Sequence, residues 1–199
     1  MIFITSDLHF NHNQMFVWKE RGFNSIEEMN EEIIRRFNSV VQKEDDLYIL
    51  GDLCMSGDLL GNKALIERLN GRLHIVYGNH DTDNRIEMYH ACQNVVEICG
   101  YADILKYKKY RFYLSHYPTA TANYDDKEDL KSRTINLCGH IHTKDALCAV
   151  REGQLTYHVE VDAHDCYPVP IEHIIATLWS GEPHHCTCNG KCVECKCKK

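Results

Sequence analysis

The chain has 199 residues, 44% of them hydrophobic and 26% charged, and carries a formal net charge of -7. Ordinary apolar and charged fractions at this length read as one globular domain able to bury a core. The acidic balance argues against a broad basic footprint for nucleic acid while leaving room for one local site. No run approaches the ~20 apolar residues that a membrane span needs, and the first residues lack a basic region and a small-residue cleavage site, so a cytoplasmic protein is expected.

An apolar run from Ile2 reads as a strand that ends at Asp7 and runs into the polar loop Leu8-His9-Phe10-Asn11-His12-Asn13. Ser25 and Glu28 make a capping box, and Ile26, Met29, Ile33, Ile34, Phe37, Val40 and Val41 fall on one helical face. This predicts an amphipathic helix from Ser25 to about Gln42, packed on a sheet. A second strand, Asp46 to Leu50, is followed by Gly51-Asp52, and a helix near Asn62 to Leu69 is stopped by Asn70-Gly71. The third strand, Leu73 to Tyr77, ends at Gly78 and delivers Asn79, His80 and Asp81. Thr82 to Gln93 reads as a helix, and Val95 to Ile98 and Ala102 to Lys106 as short strands feeding a hairpin partner at Tyr110 to Ser115.

The strand Ile135 to Cys138 leads to Gly139-His140-Ile141-His142. Before it lies a polar stretch with Pro118 and the charge run Asp125 to Asp129, which reads either as a lid over a site or as a solvated surface loop. A further strand is expected from Leu155 to Asp162, and Val169 to Ile175 closes the fold. Strands alternating with helices early and meandering strands later predict two mixed sheets covered by helices.

Five of these strands carry polar residues just past their carboxyl ends, where open α/β sheets place their active sites. Each pair alone is weak: Asp7 and His9 are a common spacing, Gly51-Asp52 is often a turn, and a lone His116 is more often structural than a ligand. Two alternating histidines after a glycine, His140 and His142, are a stronger metal-ligand signal. Asp7, His9, Asp52, Asn79, His116, His140 and His142 together are too many nitrogen and oxygen donors for one divalent ion. They suit two ions about 3.5 to 4 Å apart with one bridging carboxylate.

The five motifs in this order resemble the calcineurin-like metallophosphoesterases, over residues 1 to roughly 176 and with a closing segment similar to that of compact bacterial and phage members. The resemblance implies an α/β fold, a four-layer α-β-β-α sandwich of two mixed sheets flanked by helices. It also implies that Asp7, His9 and His142 hold the first metal, Asn79, His116 and His140 the second, and that Asp52 bridges. His80 would be the acid assisting the leaving oxygen, and Asp81 would orient its imidazole.

The centre so implied would hydrolyse phosphodiester or phosphomonoester bonds, its two ions supplying a bridging hydroxide for in-line attack. The expected substrate is a small diester or a nucleotide. Manganese is the working choice of ion, with iron, nickel, cobalt and zinc as alternatives. A non-catalytic scaffold of the same fold is the competing reading, disfavoured because no ligand position is lost.

Outside the family pattern, His12 reads as a substrate contact or as a polar loop residue, Tyr117 as a pocket wall or as packing, and Arg133 as a phosphate-binding cation or as a surface arginine. The chain has 11 cysteines, of which five, Cys186, Cys188, Cys192, Cys195 and Cys197, crowd into its end. Residues 1–180 are therefore expected to form the phosphoesterase domain and residues 181–199 an appendage. That appendage either holds a zinc ion or is an oxidisable tail. The remaining cysteines read as reduced, mostly buried small hydrophobes.

Overall fold

The structure, a computed structural model, describes residues 1–119, 121, 134–146 and 156–180. Its elements are β1 (Ile2–Thr5), α1 (Met15–Glu20), α2 (Ile26–Val40), β2 (Asp46–Leu50), α3 (Leu59–Ile66), β3 (Arg72–Val76) and α4 (Asp83–His90), then β4 (Val95–Gly100), β5 (Ala102–Tyr107), β6 (Tyr110–Ser115), β7 (Thr134–Cys138), β8 (Thr156–His158), β9 (Val169–Pro170) and α5 (Ile171–Ser180). The strands form two mixed sheets with flanking helices, as expected. One has the order β4-β3-β2-β1-β9 and the other β5-β6-β7-β8.

In the first sheet β1 to β4 run parallel and β9 antiparallel. Its central strands β1 to β3 are largely buried, which is why they read as nearly continuous apolar runs, whereas the edge strand β4 has no buried residue. Phe3, Leu47, Ile49, Leu73 and Ile75 point to one side, where Met29, Ile33, Ile34 and Phe37 of α2 cover them. Ser25 starts that helix by accepting from the Glu28 amide at 3.2 Å, while the Glu28 carboxylate accepts from the Asn24 amide at 2.8 Å. Two otherwise unpaired donors are thus satisfied, and the apolar stripe begins in register with the sheet. Each fully buried side chain of this size contributes about 1.5–3 kcal/mol relative to exposure.

Ile4, Leu50 and Val76 point to the other side and meet Phe112, Leu114, Ile135 and Leu137 of the second sheet. Ile171 and Ile174 of α5 join the same inter-sheet core.

Three expectations are adjusted. The strand after α4 pairs parallel with β3 instead of feeding the hairpin, so the chain changes sheets at Gly100, whose φ of 75° permits the corner. Helix α3 starts earlier than expected, at Asp58, which caps it by accepting from the Gly61 amide. The segment expected as a strand to Asp162 leaves strand geometry after His158 and turns as a 3-10 helix at Val161–Ala163. Helix α1 was hidden from periodicity because none of its residues is buried. Arg133, Cys148, the charge run at 125–129 and the cysteine-rich end lie outside the described residues. Among those described, no helix is long and apolar enough to cross a membrane.

Register places the chemistry. Thr5, Ile49 and Ile75 are aligned across β1, β2 and β3, so the residues after each emerge along one edge. In the second sheet Leu114 pairs with Leu137, so His116 and Gly139 emerge together, and the Gly139 amide donates to the His116 carbonyl at 3.0 Å. The chain after β8 ties the two sheets together there, because the Val159 amide donates to Cys138 and the Val161 amide to Ser6.

Candidate metal centre

Two loops lie side by side where β1 and β2 end. The amides of Asp7, His9 and Phe10 donate to the carbonyls of Gly51, Asp52 and Leu53 at 3.0–3.1 Å. To keep this ladder while sorting side chains, Asp7, His9 and Asn11 take left-handed conformations, with φ of 58°, 53° and 58°. Leu8 and Phe10 are thereby sent into the core at 0% exposure, and the polar residues between them turn to the cleft. Asp52, His140 and His142 are left-handed too, with φ of 54°, 76° and 51°. Such conformations cost about 1–3 kcal/mol each outside glycine and gather at functional sites.

The motif glycines are required by close approach. A Cβ on Gly78 would stand 2.1 Å from Asp52 Oδ1, and one on Gly139 2.0 Å from Ser6 Oγ and 2.1 Å from Asp7 Oδ2.

The expected donors converge. His9 Nε2 is 3.5 Å from Asp7 Oδ1, and His142 Nε2 is 3.7 Å from the same oxygen. Asp52 Oδ2 lies between His9 Nε2, at 3.9 Å, and His116 Nε2, at 3.5 Å. His116 Nε2 is 2.8 Å from Asn79 Oδ1 and 3.1 Å from His140 Nδ1. Among the described residues, two groups of three donor atoms could hold an ion, Asp7/His9/His142 and Asp7/Asp52/His116, each within 4.8 Å.

Asp7 is 0% and His9 3% exposed, yet Asp7 Oδ1 and both ring nitrogens of His9 have no hydrogen-bond partner. Buried polar atoms without partners are costly. A cation is the partner this donor set fits.

The charge states suit that role. For Asp7, burial pushes the carboxyl up, but the pull of His9 and the neighbouring imidazoles outweighs it and holds the group low. Burial lowers His9 more than Asp7 raises it, which favours the neutral imidazole a metal needs. Other contacts fix the ligands from behind. The His116 Nδ1 is 2.8 Å from the Leu50 carbonyl, and His142 Nδ1 is 2.8 Å from Asp162 Oδ2. Histidine ligands are commonly oriented through their second nitrogen in this way.

Asp162 in turn takes two 2.9 Å hydrogen bonds from Arg21, whose guanidinium also donates to the carbonyls of Asp7 and Leu8 at 2.8 and 3.0 Å. Arg21 therefore braces both the first loop and the His142 orienter. Arg21 carried no motif signal, and Asp162 stood only in the closing segment of the resemblance, with no role attached. Arg21 and Asp162 are 141 positions apart, and only a fold could pair them.

Asp81 departs from expectation. Its carboxylate accepts from the Gly78 amide at 2.7 Å, the Asp52 amide at 3.0 Å and the Tyr89 hydroxyl at 2.6 Å, and its hydrogen bonds go to these groups and not to the His80 ring. A side chain this buried is captured by the nearby amides, so it shapes the Gly78–Asp52 turn rather than the imidazole. Burial raises its pKa, and the Tyr89 and Gly78 hydrogen bonds offset this only in part.

His80 itself is open, its side chain 45% exposed, with Nε2 4.0 Å from Asp52 Oδ2. Its backbone is held, the amide donating to Asp52 Oδ1 at 2.9 Å and the carbonyl accepting from Arg85. His12 lies beside His9, ring centroids 5.4 Å apart, and burial lowers its pKa to about 4. Tyr117 packs edge-on against His140, centroids 4.6 Å apart.

The model of the calcineurin-like phosphoesterase superfamily domain matches residues 1–159. The chain is 28% identical over 186 residues to the uncharacterized protein MJ1445 of Methanocaldococcus jannaschii, covering 91% of this chain and 93% of that one. A shorter match, 32% over 80 residues, covers 39% of this chain and 38% of the Gene 66 protein of Mycobacterium phage L5. Among solved structures, the protein of unknown function AQ665 from Aquifex aeolicus aligns with a TM-score of 0.67 and 25% identity, over 88% of this chain and 98% of that one. With the family model spanning most of its length, the chain belongs to the calcineurin-like phosphoesterase superfamily.

Proposed function

We propose that the protein is a phosphodiesterase that works with two divalent metal ions, manganese being the first to test. Asp7, His9 and His142 would hold one ion, Asn79, His116 and His140 the other, and Asp52 would lie between them. The observation that carries this reading is the set of buried, unpartnered donor atoms on Asp7 and His9. The two overlapping donor groups extend it to a pair. When bound, two such ions supply an acidified water and positive charge against the phosphoryl oxygens.

The chain's own residues do the rest. Asp52 Oδ2, between the two histidine groups, keeps them in one cluster. His80 faces the open side, where it can hold a proton at Nε2 and give it to the leaving oxygen. Arg21 and Asp162 hold His142 in one orientation. Among the described residues around the adjoining cavity no lysine or arginine side chain is found to add to the charge that the two ions would supply. That favours a diester.

The test is hydrolysis of bis-p-nitrophenyl phosphate against p-nitrophenyl phosphate by metal-stripped protein resupplied with manganese, nickel or zinc, with Asp52→Ala as the blank. Metal-dependent turnover that prefers the diester and vanishes in Asp52→Ala is expected. No turnover with any ion, or turnover kept by Asp52→Ala, would overturn the reading.

A further inference from the structure

A cavity of about 610 Å3 opens onto the centre, with His9, His80 and His142 on its inner wall. Its outer wall is α1 and the turn before it. There Phe16 stands beside His12, ring centroids 6.0 Å apart. Phe16 is 61% exposed, a large apolar ring open to solvent directly beside a polar site. The described lining carries no aspartate, glutamate, lysine or arginine, and apart from its histidines its polar side chains, Asn11, Asn13, Gln14 and Ser56, are uncharged. The Gln14 amide donates to His12 Nδ1 at 3.2 Å, which puts the ring proton on Nε2 and leaves that N–H as a donor.

On the outer wall, an aromatic ring, an N–H donor and uncharged side chains match a flat heterocycle with polar edges. They do not match a second phosphate, a sugar polyanion or an acidic peptide. Stacking buries the face of such a ring whatever its sequence of heteroatoms, while amides and hydroxyls meet its edge.

We infer that the wall formed by Phe16 and His12 is a nucleoside subsite, in which the base of a nucleotide diester stacks on Phe16 and its polar edge meets His12. This rests on the phosphodiesterase reading above. His80 lines the same cavity, so the nucleoside is the leaving group. The bond from phosphorus to the nucleoside oxygen breaks, that oxygen takes the proton from His80, and water supplies the hydroxyl that phosphorus gains. The proton released by the water restores His80.

The experiment is equilibrium dialysis on the metal-loaded full chain with two probes that share a phosphate and a ribose, adenosine 5'-monophosphate and ribose 5-phosphate. The base should tighten binding by about ten-fold or more, as expected for one stacked base. Phe16→Ala should bring the two dissociation constants to within about two-fold of each other, while Phe16→Trp keeps the preference. Because Phe16 is exposed, neither variant should disturb folding. Equal binding of the two probes by the native protein, or a preference that survives Phe16→Ala, would overturn the subsite. Turnover of bis-p-nitrophenyl phosphate with equal binding of the probes would sink the subsite alone. A base preference without any phosphodiester turnover would sink the catalytic reading and leave the binding site standing.

Discussion

Replacing Arg21 tests whether the centre depends on a brace outside its ligand set. Its side chain is 3% exposed and makes a bidentate pair with Asp162, itself 13% exposed, along with two hydrogen bonds to loop carbonyls. Arg21→Ala strands the Asp162 carboxylate with His142 as its one remaining partner and leaves the carbonyls of Asp7 and Leu8 without their donor. Removing one partner of a buried pair costs about 3–5 kcal/mol, a large part of the roughly 5–15 kcal/mol that holds a domain together. At a urea slope of about 2 kcal/mol per molar, the midpoint should fall by about 2 M. Arg21→Lys restores the charge but not the planar fork, so it should recover part of the loss.

Acid sensitivity should change in a defined direction. Burial alone would raise Asp162, but the hydrogen bond from His142 and the charge of Arg21 outweigh it and hold the carboxyl low. A lowered folded-state pKa gives stability that is present above the unfolded value of about 3.9 and lost as pH falls through the folded value. Without Arg21 the folded value rises, so acid unfolding should begin at a higher pH. Urea curves of metal-free native and variant protein at pH 7, repeated down to pH 3, measure both effects. An Arg21→Ala midpoint within about 0.5 M of native would refute the brace.

His80→Ala should keep the metal content of the native protein while lowering turnover by about 10²–10⁴-fold, read by elemental analysis beside steady-state rates; undiminished turnover removes it from the acid role. Gly139→Ala places a Cβ 2.1 Å from Asp7 Oδ2. It should weaken metal binding by about ten-fold or more in a competition titration, and native affinity would show that the loop moves aside freely. Chelation should lower Tm. An ion at 100 times its Kd adds about 2.7 kcal/mol, equivalent to roughly 5–10 °C at this chain length, and identical melting curves with and without chelator would argue that no ion binds.

The strands and the residues that follow them were legible because their signals are local. Leu73 to Val76 is an apolar run, Gly78 stops it, and the same grammar recurs at Asp7, Asp52, His116 and His140. Helix α2 was legible from one apolar face and one capping pair. Helix α1 was not, since a six-residue helix that only half-buries Val17 and Trp18 is too short and too shallow to leave a period to read. Only the fold shows what it stands beside, the ring of His12 and a cavity that His80 also lines.

Sequence by itself therefore determined which residue types arrive at the ends of which strands, because alternation, glycine placement and capping act over a few positions. Tertiary structure alone decided what each of them touches. Asp81 sits next to His80 in sequence, yet its carboxylate turns inward to the amides of Gly78 and Asp52 and the hydroxyl of Tyr89. A buried charge goes to its best donors, and one of these comes from a strand end 29 positions away. Asp162 reaches His142 and Arg21 because the turn after β8 passes across the edge of both sheets. Such pairings are set by packing and by the need to satisfy buried polar groups, and no local pattern encodes them.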